Sequence, residues 1–147
     1  MSLLIGVLRF CLVSRTLAGM TAWLVSEDGF RLARVDSVVS VALAVDNDRD
    51  DPSKYHPTKM LARASKVRLM VGAQGQDAPM CALTCPGRDA PEALKQLMAT
   101  LTELRRQHSD NGADVYAHAM YVNWPSRMPD RLWRVTRDIP EQEWIRR

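Results

Sequence analysis

Residues 22–34, AWLVSEDGFRLAR, decide the fold of this chain. Two runs of alternating apolar residues flank Glu27-Asp28-Gly29, and glycine accepts the positive φ that such a turn demands, so the stretch predicts a β-hairpin. Working outward, VVSVALAV at 38–45 places Val39, Val41, Leu43 and Val45 on one face of a third strand, with Ser40, Ala42 and Ala44 on the other. The acidic break DNDRDDP at 46–52 ends that strand, since Pro52 cannot donate to a ladder. Residues 53–65 read as an insertion holding a turn or two of helix. Strands follow over Lys66–Val71, with Val67, Leu69 and Val71 inward, and over Met80–Thr84.

The periodicity then changes. In DAPEALKQLMATLTELRRQH, residues 89–108, Ala93, Leu94, Leu97, Met98, Leu101 and Leu104 form one apolar stripe. Asp89 and Glu92 have the spacing of a capping box. Arg105, Arg106 and His108 stand at the C-terminal end, where cations oppose the helix dipole. Ser109–Gly112 stops the helix. VYAHAMYVNW at 115–124 and RLWRVTR at 131–137 read as further strands, and Asp138–Glu141 opens a short final helix to Trp144. The predicted fold is α+β, an antiparallel sheet of about five to seven strands with one main amphipathic helix packed on it. That helix should bury Leu94, Leu97, Leu101 and Leu104 against Trp23, Val39, Val41, Val67 and Leu69.

Residues 1–19 stand apart as an N-terminal amphipathic extension. Leu3, Leu4, Val7, Leu8, Cys11 and Leu12 recur at helical spacing, and Arg9 interrupts the run where a signal peptide would be apolar. The segment is too short to span a bilayer as a helix. Three readings stay open: a docked helix, a helix on a membrane surface, or sequence upstream of a start at Met20. Residues 20–147 form one α+β domain, with a C-terminal extension from about 113.

The 147 residues, 46% hydrophobic and 25% charged, are enough for an ordinary core without disulfides or metal. A formal charge of +3 is milder than that of a dedicated DNA binder. The 16 arginines against four lysines match the codon bias of a GC-rich genome. Three cysteines are too few and oddly numbered for a secreted scaffold, so a reduced cytoplasmic setting is expected.

The order W-x-x-S-x-D-G at a hairpin, an Asp-x-Val step, two strands and a capped helix resembles a group of small bacterial and phage α+β proteins. The matching residues are Trp23, Ser26, Asp28, Gly29, Asp36 and Val38, the strands around Val67 and Leu83, and the helix from Pro91 to Leu104. The resemblance covers residues 22–106; the 46–65 insertion and the tail after 110 depart from it. With no activity assigned to that group, the resemblance implies a fold and no mechanism.

No nucleophile–base or paired-carboxylate motif can be read, so the sequence predicts no catalytic residue, no cofactor and no metal. Asp46, Asp48, Asp50 and Asp51 invite a calcium loop, but an EF-hand needs Gly where Asp51 stands and Glu where Pro57 stands. Cys81 and Cys85 read as sharing one strand face. Zinc would need further ligands from His56, His108 or His118, none at finger spacing. Cys85, before the helix start, is a candidate for a lowered pKa, although free cysteine is commonly a small buried hydrophobe.

Two candidate binding surfaces remain. The tail carries Trp124, Trp133 and Trp144 among Arg127, Arg131, Arg134 and Arg137, and Trp and Arg are the residues most enriched at interface hot spots. Alternation puts Leu132, Arg134 and Thr136 on one strand face and Trp133 and Val135 on the other; packing of the tryptophans as core is the competing reading. Lys54, Lys59, Arg63, Lys66 and Arg68 form an acid-free stretch with Tyr55 and His56 interleaved, a composition that can bind a nucleic-acid backbone, although a solvated loop balanced by the preceding acidic run is the favoured reading. The expected function is a non-catalytic protein-interaction or regulatory module, with another protein as partner through Trp124, Trp133, Arg134 and Trp144. Nucleic-acid binding through the 54–68 segment is the alternative.

Overall fold

A computed structural model of the chain describes residues 2–9, 21–46, 61–107, 114–120 and 127–138. The strands are β1 (Ser2–Arg9), β2 (Ala22–Val25), β3 (Leu32–Arg34), β4 (Val38–Asp46), β5 (Val67–Ala73), β6 (Met80–Cys85), β7 (Val115–Ala119) and β8 (Trp133–Thr136), with helix α1 over Ala90–Arg106. The fold is α+β, as the periodicities require. The strands are divided between two four-stranded sheets, in the orders β1-β4-β5-β6 and β3-β2-β7-β8. All neighbours are antiparallel except β2 and β7, which run parallel with Ala22 opposite Val115.

The hairpin forms where expected, Trp23 pairing Arg34 and Val25 pairing Leu32. Gly29 takes φ +78°, a left-handed conformation that a side chain would strain. The Ser26 hydroxyl donates to Asp28 Oδ1 at 2.5 Å and accepts the Arg31 amide at 3.0 Å, while the Phe30 amide donates to the same carboxylate oxygen. The S-x-D-G motif is thus a loop-building device, and the hydrogen bond from Ser26 holds the Asp28 carboxyl below its ordinary pKa.

Strand β5 keeps a strict alternation, with Val67, Leu69, Val71 and Ala73 buried and Arg68, Met70 and Gly72 between. Its neighbours do not, because each carries a bulge. The β4 register shifts between Val38 and Ser40, so Val38 and Val41 are fully buried while Val39 is only half-buried. One extra residue reverses the phase of everything before it. The register also shifts where Ala82 is inserted in β6. Cys85 therefore pairs with Val67 on the core face and Cys81 with Met70 on the opposite face. The two thiols do not share one face as strict alternation implied.

Helix α1 bridges the two sheets. Leu97, Leu101 and Leu104 are buried in the common core with Val41, Val67 and Leu69; Leu94 is half-buried at its margin, whereas Trp23 is half-buried and does not join that core. The capping box does not form. Asp89 has helical dihedrals and makes no side-chain cap, because a turn already delivers the chain in helical geometry whereas a capping side chain needs extended backbone. Pro91 in the first turn places its missing N–H where the helix has no partner for one. At the far end the Arg105 guanidinium donates to the carbonyls of Val35 and Val38, tying α1 to the β3–β4 junction. At Gly87 a Cβ would overlap the Leu61 carbonyl, and the Gly87 amide donates to Ala64 O at 2.9 Å. The glycine lets residues 61–64 close the bottom of the core.

Both ends differ from expectation. The backbone of residues 2–9 is a strand pairing β4 from Ser40 to Asp46, with a register shift between Ile5 and Val7, and not a helix. The C-terminal segment is not an appendage, since β7 and β8 complete the second sheet. Among the described residues, no helix is long and apolar enough to cross a membrane.

Candidate functional site

A sheet edge presents unpaired backbone donors and acceptors, and proteins ordinarily cover or blunt it. Two edges here are closed by side chains reaching between the sheets. On the outer edge of β6, the Glu27 amide donates to Cys81 O at 2.9 Å, and the Glu27 carboxylate accepts the Thr84 amide at 3.0 Å and the Thr84 hydroxyl at 2.7 Å. On the outer edge of β3, Gln76 Nε2 donates to Leu32 O at 3.0 Å. Nearby, Arg31 grips the carbonyls of Ala78 and Pro79 at 2.8 and 3.1 Å. The hairpin tip seals one sheet, and the β5–β6 loop seals the other.

The outer edge of β8 differs from these two: like that of β1, it has no pairing strand among the described residues. Its ladder to β7 pairs Ala119 with Trp133, His118 with Arg134, Ala117 with Val135 and Tyr116 with Thr136. The Met120 amide donates to Leu132 O at 2.7 Å, which fixes the phase of that ladder. In an antiparallel pair, hydrogen-bonding residues alternate with non-bonding ones. Arg134 and Thr136 therefore direct their backbone groups to β7, and Trp133 and Val135 direct theirs outward.

What holds β8 in place is Trp133. It is 7% exposed, and its indole N–H donates to Ala93 O of α1 at 3.2 Å. One residue earlier, the Leu132 amide donates to Gln96 Oε1 at 3.0 Å, and Leu132 is fully buried. Trp133 is thus a core anchor and not a surface hot spot, which corrects one of the four expected partner-binding residues. The alternation across RLWRVTR also fails at its start, because Leu132 precedes the strand and is buried beside its neighbour. Arg134 is exposed, as is Val135 at 46%. Trp124 and Trp144 lie outside the described residues.

Around this edge Arg127, Arg131, Arg134 and Arg137 are all exposed, against the two exposed acids Asp130 and Asp138. An open cleft of about 590 Å³ runs beside it, between Arg88, Asp89, Glu92 and Gln96 on the α1 side and Arg127 and Asp130 on the tail. His118, opposite Arg134, is buried, with Nδ1 3.4 Å from Ala119 O and Nε2 without a hydrogen-bond partner among the described residues. Burial holds this imidazole below its ordinary pKa.

Of the basic segment, Lys54 and Lys59 lie outside the described residues, as do His56 and the acidic stretch 47–51. Arg63 and Lys66 are exposed, and Arg68 projects half-buried from β5. The two described cysteines are poor nucleophiles: burial pushes the Cys81 thiol up to about 11 and the Cys85 thiol up to about 12. The helix start does not lower the pKa of Cys85, because the thiol faces the core. Among the described residues, no cluster of three His, Cys, Asp or Glu side chains could hold a metal ion. Sequence reasoning missed Glu27 and Gln76, whose roles depend on partners 57 and 44 residues away.

The chain matches no family model, no curated protein and no solved structure.

Proposed function

We propose that this protein is a non-catalytic binding module that takes another protein along the outer edge of β8. The observation behind this reading is the contrast between β8 and the two edges capped by side chains. Glu27 closes β6 and Gln76 closes β3, while β8 carries outward backbone groups, exposed Val135 and the exposed Arg134. An edge of this kind suits recognition by strand addition, in which main-chain hydrogen bonds supply affinity and alternate side chains supply selectivity.

The test is selection of a displayed random-peptide library on the intact protein, with Val135→Pro as counter-selection. Proline removes the outward N–H and leaves the β7 ladder intact, because Val135 does not donate to β7. Recovery of peptides that bind the parent and not Val135→Pro is the expected result. A labelled random oligonucleotide, tested against the parent and Lys66→Glu, addresses the alternative partner. Lysine-dependent, steeply salt-sensitive oligonucleotide binding with no β8-dependent peptide would replace this reading by the nucleic-acid one.

A further inference from the structure

We infer that the occupant of the β8 edge is an extended acidic segment of a partner polypeptide. The inference rests on the reading of β8 as a binding edge and specifies what fills it. Two features choose the class of occupant. The outward groups at Trp133 and Val135 are both donors and acceptors, one N–H and one C=O from each residue. A nucleic-acid backbone offers phosphate acceptors to such an edge, whereas an extended polypeptide offers donors and acceptors at the same repeat.

Charge then selects the side chains. Residues 127–138 carry four exposed arginines against two exposed aspartates; Arg134 lies within β8, and Arg131 and Arg137 lie just beyond its two ends. Arginine pairs carboxylates with two parallel hydrogen bonds, so glutamates or aspartates on the added strand have donors waiting for them. The same charge disfavours a second copy of this chain. Two β8 edges paired antiparallel would bring both sets of arginines along one short strip, and like charges across a strand pair are destabilising. Val135 adds a small apolar contact for the residue opposite it on the incoming strand.

The experiment uses the full chain and a fluorescein-labelled octapeptide of alternating valine and glutamate, read by anisotropy. Controls are the valine–lysine counterpart and a version N-methylated at alternate amides. Binding by the acidic peptide is expected to exceed that of the lysine peptide by about tenfold or more and to weaken as salt rises. Arg134→Glu should invert the preference between the two peptides, and Val135→Pro or N-methylation should remove binding of both. Circular dichroism and melting of the two variants check that they are folded. Should Val135→Pro fail to fold, amide hydrogen exchange on the parent replaces it, with slowing at Val135 and Trp133 expected on addition of the peptide.

Equal affinity for acidic and basic peptides, or acidic binding untouched by Arg134→Glu, would overturn the inference. So would a concentration-dependent dimer of the free protein that Val135→Pro dissolves, since it would assign the edge to a second copy. If library selection returns β8-dependent peptides that are not acidic, this inference fails and the binding-module reading stands. If it returns none, both fall.

Discussion

Trp133→Ala tests whether the tail is held as described. The indole is 7% exposed and contributes one hydrogen bond to a helix carbonyl. Ala93 O also has the Leu97 amide as its regular helical partner, so losing the indole N–H does not strand a buried acceptor. The hydrogen bond itself is therefore worth about 0.5–1.5 kcal/mol. Truncation to alanine adds the lost burial and the residual cavity, and large-to-small changes of this kind cost about 3–5 kcal/mol. Trp133→Phe, which keeps most of the ring contact, should cost about 1–2 kcal/mol, close to the hydrogen bond alone plus a small packing defect. Urea unfolding followed by far-UV circular dichroism measures both variants. At about 2–4 °C per kcal/mol for a chain of this size, the alanine variant should melt roughly 6–20 °C lower. A loss below 1 kcal/mol for Trp133→Ala would show that the indole is not an anchor, and the placement of β8 would fall with it.

Other consequences are measurable in the same way. Leu97→Ala should cost about 2–5 kcal/mol, and half-buried Leu94→Ala clearly less; equal losses would mean the stripe is rotated on the sheet. Deleting residues 1–19 unpairs the β4 edge from Ser40 to Asp46, so the truncated protein should aggregate or melt far lower, and an unchanged melting temperature would sink the β1–β4 pairing. His118 has a depressed folded-state pKa, so the unfolded chain binds the proton first. Stability should decline as pH falls from the unfolded value near 6.5 through the folded one, and His118→Asn should flatten that decline. A parent protein whose stability is flat over that window would contradict the buried neutral imidazole.

What could be read from the sequence was local. The hairpin and α1 declare themselves because Asp28-Gly29 and the leucine stripe act within a few residues of themselves. The bulges at Val39 and Ala82 do not, because a bulge is a property of the strand opposite, and each reversed the face assigned to its neighbours. The β1 segment misled for a related reason: its register shift between Ile5 and Val7 breaks the two-residue rhythm, and apolar residues at 3, 4, 7 and 8 then mimic a helix. The division into two sheets depends on the β2–β7 pairing and on Glu27 meeting Thr84, contacts between residues far apart in the chain. At the candidate site, the exposure of Arg134 follows from residue type alone. Whether a tryptophan beside it faces water or core depends on where α1 lies, and composition cannot express that.

The parallel pairing of Ala22 with Val115 also sets a timetable for synthesis. Strands β4, β5 and β6 are consecutive and antiparallel, so they can pair soon after each emerges from the ribosome. The β2–β3 hairpin, complete at Arg34, emerges before all of them, yet its sheet-mate begins only at Val115, 81 residues later. Until then it is a lone two-stranded ribbon, which is marginal in water. At about 5–20 residues per second that wait lasts several seconds or more. Once β6 has emerged, Glu27, Arg31 and Gln76 supply the contacts through which the hairpin can attach to the first sheet. The early sheet thus acts as a cradle for the late one.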